Sequence, residues 1–250
     1  VSNPTLNAFE SGTPIGDALT FKQGMATSDN ERFLRHWPEV SHLGVDITCE
    51  TPDELSHSGR KWFPYSKGRT YRKWYGNNDL LVNWEHDGRE MKAFTSTLTQ
   101  GMNVRLKSRE YYCLPSLTYS TLALTFGCRM NDGGFIFDVK GSCIFGSDTD
   151  RTTYCGFLNT CVARHFLEIL CPTLDFQMVG IRQIPVLSRE LPNCAPAVER
   201  ARHLTKRDWN ACEHSWDFQS LPLLTASSDP TPTIESSYTA WITQNRDTIA

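Results

Sequence analysis

Two residues apart in the stretch FDVK, Asp138 and Lys140 have the spacing that sets a carboxylate and an ammonium on one face of a strand. Metal-dependent nucleases use an Asp-x-Lys pair in this way. That chemistry needs a second carboxylate. Asp132 lies six residues upstream across the turn-forming NDGG, and Glu110 is farther back with no supporting Pro-Asp motif. The plainer reading pairs Asp138 with a nearby cation and leaves Lys140 solvated or against a phosphate. Other reaction centres are missing from the sequence: there is no G-x-S-x-G elbow, no G-x-x-x-x-G-K-[ST] phosphate loop, no Gly-rich dinucleotide turn and no Asn-Pro-Pro-Tyr tetrad to hold a flipped base. The chain is expected to carry no catalytic residue of its own.

Metal chemistry fares no better. The nine cysteines are scattered singly in apolar surroundings without a C-x-x-C pair, and the seven histidines show no H-x-x-x-H spacing. The cysteines read as reduced core thiols of a cytoplasmic protein, and no metal site is expected.

The other stretch with chemical potential is RKWFPYSKGRTYRKWYGNN, residues 60–78, with six Lys/Arg and six aromatics in 19 positions and no carboxylate. The whole chain carries −3, so everything outside this stretch carries −9. Concentrated cations on an acidic body make a local anion site, because Lys and Arg neutralise phosphates while the rest of the surface repels a polyanion. The rings are compatible with stacking on bases, with stacking on sugars, or with filling the core beneath snorkelling cations. Core filling is the strongest of these. Asn77 and Asn78 have amides suited to adenine edges, and Asn after Gly is also ordinary turn chemistry.

The elements that must position these groups are legible in outline. At 250 residues and 39% apolar, the chain has enough material for one substantial core, and no apolar run approaches the roughly 20 residues of a membrane span. Neither a membrane location nor a secretory leader is expected. The opening, rich in Asn, Pro, Gly and Ser, reads as a loop over residues 1–19. LLVNW, TLALTFGCRM and GFIFDVKGSCIF read as strands, the last two forming a hairpin across NDGG. TYCGFLNTCVARHFLEIL has apolar residues at three- and four-residue spacing and predicts one helix ended by Pro172. A second helix is predicted after Pro196, and Thr205 with Asp208 forms a capping-box pattern for a third. SSDPTPTIESS reads as a linker. The expected class is α+β, a mixed or antiparallel sheet core with packed helices and a helical C-terminal segment, divided into a loop-like lead-in over 1–19, a main domain over 20–190 and a helical segment over 191–250.

Taken in order, GMATSDNERFLRHW, KWFPYSKGRTYRKWYGNN, LVNWEHDG, GFIFDVKGSCIF, GFLNTCVARHFLEILCPTLDFQMVGIRQIPV and KRDWNACEHSWDF resemble the post-catalytic half of the PglX family, the adenine-specific DNA methyltransferases of BREX phage-defence systems. The likeness runs from about residue 20 to 220. The helix followed by PTLDFQMVGIRQIPV is also similar to the specificity domains of type I and type IIG restriction-modification enzymes. The resemblance implies a target recognition domain that closes over duplex DNA opposite a catalytic domain using S-adenosylmethionine. It places Thr27, Asp29 and Asn30 in the family's Gly-x-x-Thr-Gly-x-Asn loop near DNA, with Ser28 where the family has its second Gly. It gives Lys61, Lys67, Arg69, Arg72 and Lys73 the phosphate contacts, and Asn77 and Asn78 the base edges.

The chain opens on Val1 and ends inside a helical pattern, so a piece of a longer polypeptide is expected, with the catalytic half before it and a helical portion after it. No cofactor is expected in this chain. The expected partners are duplex DNA, the catalytic domain of the parent chain, and other BREX proteins or a phage DNA mimic, which would use the same cations. An alternative role is a module that docks the parent enzyme or defence partners. The DNA reading requires that the cations share one face, neither scattered over unrelated sides nor tucked against acidic neighbours.

Overall fold

The computed structural model describes residues 2–187 and 194–249. The strands among the described residues are β1 (Thr13–Pro14), β2 (Thr20–Lys22), β3 (Leu34–His36), β4 (Trp62–Ser66), β5 (Leu80–Asn83), β6 (Ser116–Tyr119), β7 (Cys128–Asn131), β8 (Ile136–Phe137), β9 (Cys143–Phe145) and β10 (Pro185–Val186). Among the helices are α1 (Asn3–Ser11), α2 (Asn30–Phe33), α3 (Pro52–His57), α4 (Glu85–Ser96), α5 (Gly101–Arg105), α6 (Asp148–Leu158), α7 (Cys161–Leu170), α8 (Met178–Arg182), α9 (Ala195–Asn210), α10 (Pro222–Thr225) and α11 (Ile234–Ile249). The fold is α+β with a helical C-terminal segment, as expected.

Two four-stranded sheets form the frame. One is antiparallel, in the order β2-β9-β6-β7; the other is mixed, in the order β3-β5-β4-β8, with β4 and β8 parallel. Alternation along β9 shows how they stack: Ile144 packs with Leu117, Tyr119 and the apolar faces of α6 and α7, whereas Cys143 and Phe145 pack with Phe63, Tyr65 and Phe137. The antiparallel sheet thus lies between two cores. Thr118 Oγ1 meets Ser66 Oγ at 3.1 Å where the sheets face each other.

Several expectations are corrected. The described residues 2–19 are not the loop expected over 1–19. Ser2 and Pro4 open α1, since Pro tolerates a helix's first turn, and Ala8 and Ile15 reach the core. The NDGG hairpin does not form, because β7 pairs with β6 while Gly133 and Gly134, both at positive φ, turn the chain away so that β8 joins β4 in the other sheet. Of TLALTFGCRM, only its end enters β7. The single helix over 153–170 is two, because Asn159 ends α6 and the Thr160 hydroxyl caps α7 by accepting from the Ala163 amide at 3.2 Å. Thr205 starts no helix. It sits inside α9 with its hydroxyl bonded to the Ala201 carbonyl at 2.9 Å. Six cysteines are buried, while Cys161 is exposed and Cys194 and Cys212 are half-buried. The expected boundary at 190/191 lies outside the described residues.

Candidate nucleic-acid interface

Residues 60–78 begin as β4, turn at Lys67–Thr70, and then run along β7, where the Trp74 amide donates to the Cys128 carbonyl at 2.8 Å and the Met130 amide to the Trp74 carbonyl at 3.0 Å. The stretch therefore threads from one sheet to the other. Phe63, Tyr65 and Tyr75 are buried, and Tyr71 is the exposed ring. This path also divides the cations.

At the turn, three loops are knitted together. Gly68 has φ +67, and a Cβ there would come within 2.1 Å of the Lys140 carbonyl oxygen, so only glycine fits. The Arg69 amide donates to Ser120 Oγ at 3.0 Å, the Thr121 amide to the Lys140 carbonyl at 3.1 Å, and the Asp138 amide to the Ser66 carbonyl at 2.9 Å. Lys67, Arg69 and Lys140 are thereby carried to one end of the molecule. Beneath them Asp138 is buried, accepting from the Tyr65 hydroxyl and from the Lys140 amide, both at 2.7 Å. Burial pushes its carboxyl above the usual range. The Lys67 ammonium is pushed below its ordinary value, mainly by burial, with Asp138 opposing the shift and Arg69 adding to it.

Beside this turn lies a cleft of about 410 Å³ whose polar lining is Asn30, Arg35, His36, Glu39, Lys67 and Arg69. Sheet register explains the convergence: β3 pairs with β5 and β5 with β4, so Val82 faces Leu34 on one side and Phe63 on the other. Arg35 and His36 were not legible as site residues, since no spacing ties β3 to the basic stretch. Thr27 and Asp29 hold the approach to the cleft. Thr27 is buried and donates to Asn30 Oδ1 at 2.7 Å, and Asp29 caps α2 by accepting from the Arg32 amide at 3.1 Å. Ser28 adopts φ +60, the left-handed conformation that favours glycine.

The remaining candidates lie elsewhere. Lys61 stands at the far end of β4 from Lys67, about 20 Å away by strand rise, and pairs with Glu85 at 3.6 Å. Arg72 stacks on Trp209 of α9, 4.8 Å from the ring centre, and pairs with Asp208 at 3.3 Å. Lys73 donates to the Asn159 carbonyl at 2.8 Å, neutralising the C-terminal end of α6. Asn77 and Asn78 are buried, and the Asn77 amide donates to the Thr70 carbonyl at 2.8 Å. The requirement that all five cations share one face is not met, because the segment belongs to two sheets, so the expectation that residues 60–78 as a whole form one DNA-binding face is overturned, and only Lys67 and Arg69 of the five lie at the turn.

Most of these cations do touch acids, and which partner is outermost differs from pair to pair. Arg69, ion-paired with Asp79, has a side chain 37% exposed over a carboxylate 11% exposed. Lys140 is 54% exposed against 34% for Asp175, 3.9 Å away. At Arg72 the order reverses, 27% against 71% for Asp208. An approaching anion thus meets the cation first at the turn and the carboxylate first at α9.

The nuclease reading loses its geometry. β8 ends at Phe137, so Asp138 and Lys140 occupy a turn rather than one face of a strand. Among the described residues no group of three or more His, Cys, Asp or Glu is placed to hold a metal ion. No described helix is long and apolar enough to cross a membrane.

The fold and its loop end define an α+β domain whose candidate interface is assembled from turns at one edge of two stacked sheets. No family model matches the sequence. The chain is 30% identical over 231 residues to the adenine-specific methyltransferase PglX of Lacticaseibacillus casei (strain Zhang), covering 91% of the chain and 19% of that protein. It is 31% identical over 196 residues to the adenine-specific methyltransferase BrxX of Escherichia coli O9:H4 (strain HS), covering 77% of the chain and 15% of that protein. The chain is thus homologous to a part of these methyltransferases and spans less than a fifth of their length.

Proposed function

We propose that the chain is the duplex-DNA recognition part of an adenine-specific methyltransferase acting in phage defence, with Lys67, Arg69 and Lys140 on phosphates and the Asn30 cleft beside them. The loop end where cations lie outside their carboxylates carries this reading, and homology to adenine-specific methyltransferases supplies the substrate class. Methyl transfer from S-adenosylmethionine belongs to the parent's catalytic domain. Of the residues assigned by resemblance, Thr27, Asp29 and Asn30 shape the approach, whereas Lys61, Arg72, Lys73, Asn77 and Asn78 serve the fold.

Fluorescence anisotropy with duplex DNA, single-stranded DNA and a neutral oligosaccharide, each across a salt series, tests the proposal. Duplex binding that weakens linearly with log salt is expected; salt-independent binding, preference for the sugar, or no duplex binding refutes it. A docking role within the parent protein is favoured by one observation: Leu221, Leu224, Ile234 and Tyr238 are all exposed in the C-terminal segment. Partners retained in a nuclease-treated pull-down would support it.

A further inference from the structure

Two loops at the same end as Lys67, Arg69 and Lys140 display aliphatic side chains: Leu122 is 63% exposed, Leu124 88% and Leu174 54%. A lone exposed leucine means little, but these three stand on loops that are locked to each other. The Ala123 amide donates to the Leu174 carbonyl at 3.1 Å, the Phe176 amide donates to the Thr121 carbonyl at 2.6 Å, and Leu122 bridges to Asp175 in antiparallel fashion. Below, Phe126 packs edge-on against Phe176 with centroids 5.4 Å apart and lies 5.4 Å from Tyr119, which is buried in the sheet core. This base fixes the backbone from which the leucines project.

Their surroundings are charged. The Lys140 carbonyl holds the Thr121 amide, the Lys140 ammonium reaches toward Asp175, and Ser120 holds the Arg69 amide. A rigid apolar projection with cations outermost on its flank matches the chemistry of a side chain inserted between base steps. The wedge unstacks a step while neighbouring Lys or Arg side chains hold the phosphates on either side, and flexible pyrimidine–purine steps yield most readily.

We infer that Leu122 and Leu124, braced by the 173–176 loop, form an apolar wedge that enters a base step of duplex DNA held by Lys67, Arg69 and Lys140. This rests on the DNA-recognition reading. It assigns a distorting role to residues outside the basic stretch, at a position set by the Thr121–Phe176 and Ala123–Leu174 pairing.

The test uses this chain with duplexes carrying 2-aminopurine at successive positions through pyrimidine–purine steps, compared with a variant bearing Leu122→Ser and Leu124→Ser. Both sites are exposed, so the variant should keep the wild-type circular dichroism. Wild type is expected to raise 2-aminopurine fluorescence at a restricted set of positions. The variant should lose that rise while keeping the salt slope, since no charge is removed. Salt-dependent duplex binding by wild type without any fluorescence rise, or with an equal rise in the variant, overturns the wedge and leaves DNA recognition standing. Failure of wild type to bind duplex overturns both. If the variant distorts DNA like wild type but no longer associates with the methyltransferase's catalytic part supplied in trans, the leucines are a docking surface and the wedge is wrong.

Discussion

Exchanging charges in pairs separates the cations that face outward from those that hold the fold together. In the Lys67→Ala/Lys140→Ala variant two ammonium groups leave the loop end, while in Arg72→Ala/Lys73→Ala two cations leave the contacts with α9 and the end of α6. Each phosphate neutralised contributes about −0.9 to the slope of log K against log salt, so removing two should flatten it by about 1.8. Between about 50 and 200 mM salt, the wild-type affinity should fall about 12-fold more than that of the Lys67/Lys140 variant. The Arg72/Lys73 variant should keep the wild-type slope and instead lose stability. The cation–π contact, a partly exposed ion pair and the bond to the Asn159 carbonyl together contribute about 1–2 kcal/mol. At roughly 2–4 °C per kcal/mol for a chain of this size, melting should drop by about 2–8 °C. Anisotropy titrations at four salt concentrations, paired with thermal melts, read both quantities. Equal slopes in the two variants, or a flatter slope only for Arg72/Lys73, would refute the argument from which partner lies outermost.

Two further outcomes concern the base of the loop end. Tyr65→Phe removes a donor from the buried Asp138 carboxylate and should destabilise by about 1–3 kcal/mol at neutral pH in chemical denaturation, whereas a Tyr65→Phe/Asp138→Asn double variant should recover much of that loss. Because burial raises the Asp138 carboxyl, the folded chain holds this proton more tightly than the unfolded one; that contribution is complete below the ordinary carboxylate range and is lost as pH rises through the raised value. Asp138→Asn, which does not titrate, should therefore compare better with wild type at neutral pH than in acid, and an opposite trend in paired denaturation curves would rule this out. Ser28→Gly should stabilise by up to about 1 kcal/mol, since φ +60 strains a side-chain-bearing residue; a lower melting temperature would show that the serine makes a compensating contact.

Local signals carried the α+β class, the β5 strand in LLVNW, the stop at Pro172 and the helix beginning beside Pro196, because each rests on residues close in sequence. What escaped depends on distant partners. NDGG has hairpin chemistry, but β8 finds β4 some 70 residues back, and no turn rule foresees a parallel pairing of that range. The basic stretch announced its charge but not its sides, since the acid that masks Arg72 is Asp208 and the carbonyl that holds Lys73 is that of Asn159. Alternation in TLALTF looked like a half-buried strand. Leu122 and Leu124 do share a direction, but it is outward, because the 173–176 loop takes up the pairing that a neighbouring strand would have provided.

Under the proposed recognition role, the passage of residues 60–78 through both sheets bears on how the domain would change its preferred target. Swapping this segment between relatives would remove a girder common to both layers, with Tyr65 and Trp74 as two of its rivets. The turns at 120–124 and 173–176 clasp each other and, through Ser120, Thr121 and Asp175, the turns that carry Arg69 and Lys140. Under the proposed recognition role, their exposed tips at Leu122, Leu124 and Leu174 can be recut while the sheets stay whole, which makes those tips a place for new specificities to arise.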